Sequence, residues 1–174
     1  MNRNLTEIGS ALASAKEQGQ IAFRYVTGAY DLAKRITAAF PNVLFESCAG
    51  GGRRFDLGML CYMPQVWTSD NTDAVSRQGI QYGTSLVFPP ITMGAHVSAV
   101  PNHQVGRTTP LLCRFICAMS GNFGYEMDLG KLSDEDQNSV KEQIALYKKY
   151  RETIQKGQFT RLMSPFEGTK NETA

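Results

Sequence analysis

The stretch VWTSDNTDA, residues 66–74, holds the acidic residue best placed to do chemistry in this chain. An aspartate just after a strand often serves only as a turn or helix-cap residue. Here Asp73 is the better cap or first-turn acid for a following helix, which leaves Asp70 freer for proton transfer. Trp67, the only tryptophan, lies three residues earlier. It suits either a large core side chain or an aromatic platform under the apolar face of a sugar ring. Both readings stand on residue type alone. The run Ser47-Cys48-Ala49-Gly50-Gly51-Gly52-Arg53-Arg54 invites comparison with a phosphate loop, but neither GxxxxGK[ST] nor GxGxxG is present. Three adjacent glycines say only that the backbone turns tightly or approaches something closely. His96 and His103 show no HExxH or His-Cys grouping, so the sequence does not predict a metal site. Cys113 and Cys117, four apart on an expected helix, read as packing residues. Glu126 and Asp128 read as supporting acids at a strand end. No Ser-His-Asp arrangement follows from spacing.

These residues must be positioned by an alternation of short extended runs and longer helical ones. Tyr25, Ala29, Leu32, Ile36 and Phe40 recur at helical spacing and stop at Pro41. Strands are expected at VLFES (43–47), VWTSD (66–70), MGAHVS (93–98) and NFGYEMD (122–128). A helix is expected from about Thr72, a possible cap, through Gln81. A second opens at Thr108-Thr109-Pro110, with Leu111, Leu112, Phe115, Ala118 and Met119 as its buried face and Gly121 as its end. The last long helix is capped by Ser133, carries Asp134, Glu135 and Asp136 at the positive end of its dipole, and buries Val140, Ile144, Tyr147 and Ile154.

Strand–helix alternation predicts an α/β fold with a parallel sheet covered by helices. Four units are too few to close an eight-stranded barrel, so the outcome is a small open sheet or half a barrel. The clusters Glu46–Arg54, Thr68–Asp73 and Ala95–His103 all fall at the C-terminal ends of the expected strands. In a barrel those ends share the face where active sites are built.

The composition is that of an ordinary globular chain of 174 residues, 42% apolar and 20% charged. With a net charge of +2 and no basic run beyond two residues, nothing marks it for nucleic acid or an anionic membrane. No apolar stretch is long enough for a membrane span, and the first twenty residues lack a signal-peptide core. Four cysteines without CxxC or zinc-finger spacing read as reduced thiols of a cytoplasmic protein.

The runs FESCAGGGRRFDLGMLCYMPQVWTSDNTDA, IQYGTSLVFP, MGAHVSAVPNHQVGR and AMSGNFGYEMDLGKLS, long, ordered and consistently spaced, resemble the second half of the catalytic domain of glycoside hydrolase family 36, the bacterial and fungal retaining α-galactosidases. The resemblance covers nearly the whole chain and is least distinctive at residues 5–40. It implies a partial (β/α)₈ TIM barrel, with residues 1–157 supplying roughly the last four βα units. Residues 158–174 would then open a truncated C-terminal β-domain. One departure stands at the start. The family's Lys-Trp/Tyr-Asp-Met-Asn-Arg motif, which carries the nucleophilic aspartate, survives only as Met1-Asn2-Arg3. An internal start at that methionine would produce such a chain.

Residue by residue, the resemblance makes Asp70 the general acid/base. Asn2, Cys48, Gly51 and Trp67 become sugar-binding residues. The implied reaction is hydrolysis of terminal α-linked galactose, as in melibiose and raffinose, by a double displacement that retains configuration. Retention needs two carboxyl groups about 5–5.5 Å apart, one attacking and one moving the proton. No metal or organic cofactor is implied. The partner is a galactoside oligosaccharide, and the full-length protein is expected to be a homo-oligomer. Two alternatives remain: a non-catalytic fragment or sugar-binding pseudoenzyme, and a relative acting on α-N-acetylgalactosaminides. The small Cys48–Gly52 loop favours plain galactose.

Overall fold

The computed structural model describes residues 8–166, and Asn2 lies outside them. The chain divides into two compact units, with the boundary between Val66 and Trp67.

In the first unit, α1 (Ile21–Ala39) follows a single 3-10 turn and ends as expected before Pro41. Its apolar stripe is only thinly covered: Ala33 is its one buried residue, while Leu32 and Phe40 stand exposed. The strand expected over 43–47 shrinks to β1 (Glu46–Ser47), because Val43 and Leu44 are exposed. A short α2 (Leu57–Leu60) is capped by Asp56, whose carboxylate accepts the Met59 amide at 2.8 Å and the Tyr30 hydroxyl at 2.7 Å. β2 (Gln65–Trp67) pairs parallel with β1, placing Glu46 opposite Gln65 and Ser47 opposite Val66.

In the second unit, α3 (Ala74–Ser85) leads through a 3-10 turn to β3 (Met93–Ser98), and α4 (Leu111–Ala118) crosses over to β4 (Asn122–Glu126). β3 and β4 pair parallel from Gly94 opposite Asn122 to Ser98 opposite Glu126. Five of the six β3 residues are buried, the pattern of a parallel strand covered on both faces. Ala95 and Val97 pack with Phe115 and Ala118 of α4, and Phe115 meets Phe123 edge-to-face at 5.5 Å. At Gly121 the chain passes so close that an added Cβ would lie 2.7 Å from the Met93 carbonyl oxygen. No α4 cap comes from Thr108 or Thr109: Pro110 takes the cap position with no side-chain bond. Leu112, expected inside, is exposed, and Arg114 is buried instead. It is held there by donating to the Ser98 carbonyl at 2.6 Å and the Thr109 carbonyl at 3.2 Å.

The last helix, α5 (Asp134–Lys156), begins as expected, with the Ser133 hydroxyl accepting the Asp136 amide at 3.1 Å. Val140 and Tyr147 are buried, and the Tyr147 hydroxyl donates to the Gly121 carbonyl at 2.8 Å. Residues 158–166 contain no strand. They lie against α3, where Arg161 donates to Ser85 and Phe166 meets Tyr82 edge-to-face.

Two partly buried acids make the fold sensitive to alkali. Burial pushes the Cys117 thiol up to about 11 and the Tyr125 phenol up to about 12, from ordinary values of 9.0 and 10.0. The folded state therefore resists ionisation that the unfolded chain accepts. Their stabilisation is complete below the unfolded values, fades between about 9 and 11 for Cys117, and between about 10 and 12 for Tyr125. The urea midpoint should fall across this window, and Cys117→Ala should flatten its lower half. A midpoint unchanged throughout would contradict the assignment.

Candidate active site

β2 delivers the chain to the residue of interest. Val66 and Trp67 are buried, Thr68 and Ser69 are partly covered, and Asp70 emerges exposed. Among the described residues its carboxylate has no hydrogen-bond or ion-pair partner, so it is available to solvent or a ligand.

The backbone on both sides of Asp70 is pinned. On the near side, Arg77 of α3 is 2% exposed and donates to the Thr68 hydroxyl and, at 2.7 Å, to the Ser69 carbonyl. On the far side, the Thr72 amide donates to Gln104 Oε1 at 3.0 Å. The Thr72 carbonyl accepts the Ser98 hydroxyl at 2.9 Å, and its own hydroxyl accepts the Asn102 side-chain amide at 2.9 Å. Thr72, Ser98 and Asn102 are all buried. Polar groups at this depth hold their geometry because breaking a bond leaves an unsatisfied donor or acceptor. The exposed acid is thus carried on a rigid mount at the C-terminal end of a strand.

Asp73, rather than Thr72, caps α3. Its carboxylate accepts the Ser76 amide at 3.0 Å and the Ser76 hydroxyl at 2.8 Å, and pairs with Arg107 from the loop after β3. Asp73→Ala should cost about 2 kcal/mol, combining a lost cap of ~1 kcal/mol with a half-exposed ion pair of similar size. Asp73→Asn keeps the cap and should cost about half as much. Urea unfolding of both variants measures the split; equal losses would mean the cap contributes nothing, and no loss for Asp73→Asn would mean the Arg107 pair contributes nothing.

Trp67 is 9% exposed, and its ring is engaged by protein. His96 of β3 stacks on it at 4.4 Å between centroids, and the Arg77 guanidinium carbon lies 4.1 Å over it. His96 Nδ1 in turn lies 3.5 Å from Glu126 at the end of β4. The indole is therefore a supporting surface beneath the Asp70 segment, with little area open to a ligand.

In the first unit, Cys48 is exposed directly after β1. Gly50, Gly51 and Gly52 take φ values of +58°, +62° and +71°. Three successive left-handed residues suit glycine and few others, which explains the run. Among the described residues no cluster of His, Cys, Asp and Glu could hold a metal ion, and no helix is long and apolar enough to cross a membrane.

Arg77 was not singled out in the sequence. The buried residues of α3 are Ala74, Arg77, Gln81 and Ser85, a helical spacing filled almost entirely by polar side chains. A search for apolar periodicity passes over such a face. The available signal was the position of an arginine in register with Ala74 and Gln81.

The parallel α/β architecture and the exposed acid at the end of β2 can be set beside known proteins of similar sequence. The chain belongs to the Melibiase family, which it matches over residues 1–157. The α-galactosidase AgaA of Geobacillus stearothermophilus is 60% identical over 174 residues, which is all of this chain and 24% of that protein. Alpha-galactosidase 1 of Pediococcus pentosaceus is 51% identical over 174 residues, again 24% of its length. The crystal structure of AgaA, a family 36 glycoside hydrolase, superposes with a TM-score of 0.93 over 97% of this chain and 23% of that one. A variant of AgaA in complex with raffinose gives the same TM-score of 0.93 at 60% identity. The chain thus spans about a quarter of the length of these relatives.

Proposed function

We propose that the protein to which these residues belong hydrolyses terminal α-linked galactose with retention of configuration, and that Asp70 is its general acid/base. The observation that carries this reading is an exposed Asp70, without a hydrogen-bond or ion-pair partner among the described residues, whose backbone is held on both sides by polar bonds from the buried side chains of Arg77 and Asn102. Sequence identity of 60% to an α-galactosidase, across the whole chain, supports the substrate class. As general acid, Asp70 would protonate the glycosidic oxygen as the bond to galactose breaks. As general base, it would take a proton from the water that releases the galactosyl intermediate. A second carboxylate, outside the matched positions of this chain, would attack the anomeric carbon.

We assign Asn2, Cys48 and Gly51 to binding of the galactosyl hydroxyls. The positive-φ glycine run supports this for Gly51, since it lets backbone approach a ligand without a Cβ in the way. Trp67 contributes as the base of the site. Residues 1–157 would form roughly the last four βα units of a (β/α)₈ barrel and 158–174 the beginning of a C-terminal β-domain. The parallel pairings of β1 with β2 and of β3 with β4, with helices between, support the barrel reading.

The test is hydrolysis of melibiose by the whole protein, with the anomer of the first-released galactose read by NMR. α-Galactose appearing first is the expected result. β-Galactose first would establish inversion and overturn the double displacement. The 174 residues expressed alone should self-associate, because Phe23, Leu32, Leu44, Val87 and Leu162 are each more than half exposed. A clean monomer by light scattering would count against the partial-barrel reading.

A further inference from the structure

Arg77 is a buried cation with no carboxylate in contact with it, although the charges of Glu126 and Asp70 act on it from farther away. It is 2% exposed, no carboxylate among the described residues is within ion-pair distance, and its Nε has no hydrogen-bond partner. Burial lowers its pKa, the mark of a charge placed where charge is disfavoured. A side chain needed only to fill space would not be an arginine, since an unpaired buried ion is expensive to keep. Its two strong bonds go to the two residues immediately before Asp70: the Thr68 hydroxyl and the Ser69 carbonyl. Its planar face rests on the Trp67 ring, 4.1 Å from the centroid, and His96 stacks on the same indole. The guanidinium's donors thus hold residues 68 and 69 while its face rests on Trp67, so it touches three consecutive residues, 67 to 69.

We propose that Arg77 is a positioning residue: it clamps Trp67, Thr68 and Ser69 so that the Asp70 carboxylate is held in the direction from which it exchanges the proton. This rests on the acid/base reading of Asp70. Lysine cannot replace the clamp, because a single ammonium lacks the planar fork that serves a hydroxyl and a carbonyl while stacking on an indole.

The test is a mutant cycle in the whole protein, with kcat and KM for melibiose measured in the wild-type and Asp70→Asn backgrounds. Displacing a proton donor by about 1 Å costs about 10² in rate, so Arg77→Met should lower kcat by roughly that factor with little change in KM. In the Asp70→Asn background the same substitution should cost less than about twofold, because there is no proton transfer left to misalign. Arg77→Lys should recover little. If Arg77→Met fails to fold, Thr68→Val removes one arm of the clamp at constant shape. It should cost about tenfold, the worth of one charged hydrogen bond, and lose that effect on Asp70→Asn. Equal losses in both backgrounds would show a purely structural role and overturn the proposal, as would wild-type kcat for Arg77→Met. A single Asp70→Asn variant with wild-type kcat would instead overturn the acid/base reading, and the clamp with it.

Discussion

In the whole protein, Asp70→Asn is expected to slow turnover of melibiose or raffinose by about 10²–10⁴. Asparagine keeps the shape and a hydrogen bond but can neither give nor take the shuttled proton. The loss should appear in full for these substrates, whose leaving groups are poor alkoxides that need protonation. It should shrink for the glycosylation step of a nitrophenyl α-galactoside, whose phenolate departs unprotonated. Deglycosylation then becomes rate-limiting, because nothing activates water, and the first turnover should appear as a burst. The exposure of Asp70 makes the test clean. Its side chain has no structural partner among the described residues, so the substitution should leave the melting temperature nearly unchanged. Equal loss for both leaving groups, or a marked fall in melting temperature, would assign Asp70 a structural role.

The second large effect lies in the core behind the site. Phe115→Ala should destabilise the fold by about 3–5 kcal/mol, the sum of lost transfer energy and an unfilled cavity. Phe115 is 3% exposed and faces Ala95, Val97 and Ala118, whose short side chains cannot move in to fill the space. It also loses its edge-to-face contact with Phe123. Set against typical total stabilities of about 5–15 kcal/mol, this is a large fraction. Phe115→Leu should cost under about half as much. The urea midpoint measures both, and a loss below about 1 kcal/mol for alanine would mean that α4 does not pack on β3 as described.

How much of this was legible in the sequence depends on what each residue's burial obeys. β3 was readable at 93–98, because a strand covered on both faces is apolar almost throughout. α5 was readable because Ser133 and three acids mark its start and Val140 and Tyr147 its inner face. The strand at 43–47 was over-read: Val43 and Leu44 have strand-like side chains but face outward, and burial rather than propensity decides. In α4 the apolar pattern put Leu112 inside and left Arg114 out, whereas the Ser98 and Thr109 carbonyls draw Arg114 in. The cap of α3 was ambiguous between Thr72 and Asp73 until the loop after β3 took Thr72 for itself.

The candidate site divides in the same way. Asp70 was visible because Asp73 accounted for the helix cap and left it unassigned. The glycine run was legible as a tight backbone feature, and its three positive φ angles bear that out. The mount beneath Asp70 was not legible, because Arg77, Ser98, Asn102 and Gln104 come from segments brought together only by folding. Such polar residues carry no periodic signal.

Azide rescue of Asp70→Asn tests the central assignment most directly. Azide is a nucleophile that needs no general base, so it should bypass the step that asparagine cannot assist. Product analysis with a nitrophenyl α-galactoside should show restored turnover and α-galactosyl azide, formed on the face from which water normally enters. No rescue, or a β-galactosyl azide, would contradict the assignment of Asp70 as the acid/base of a retaining α-galactosidase.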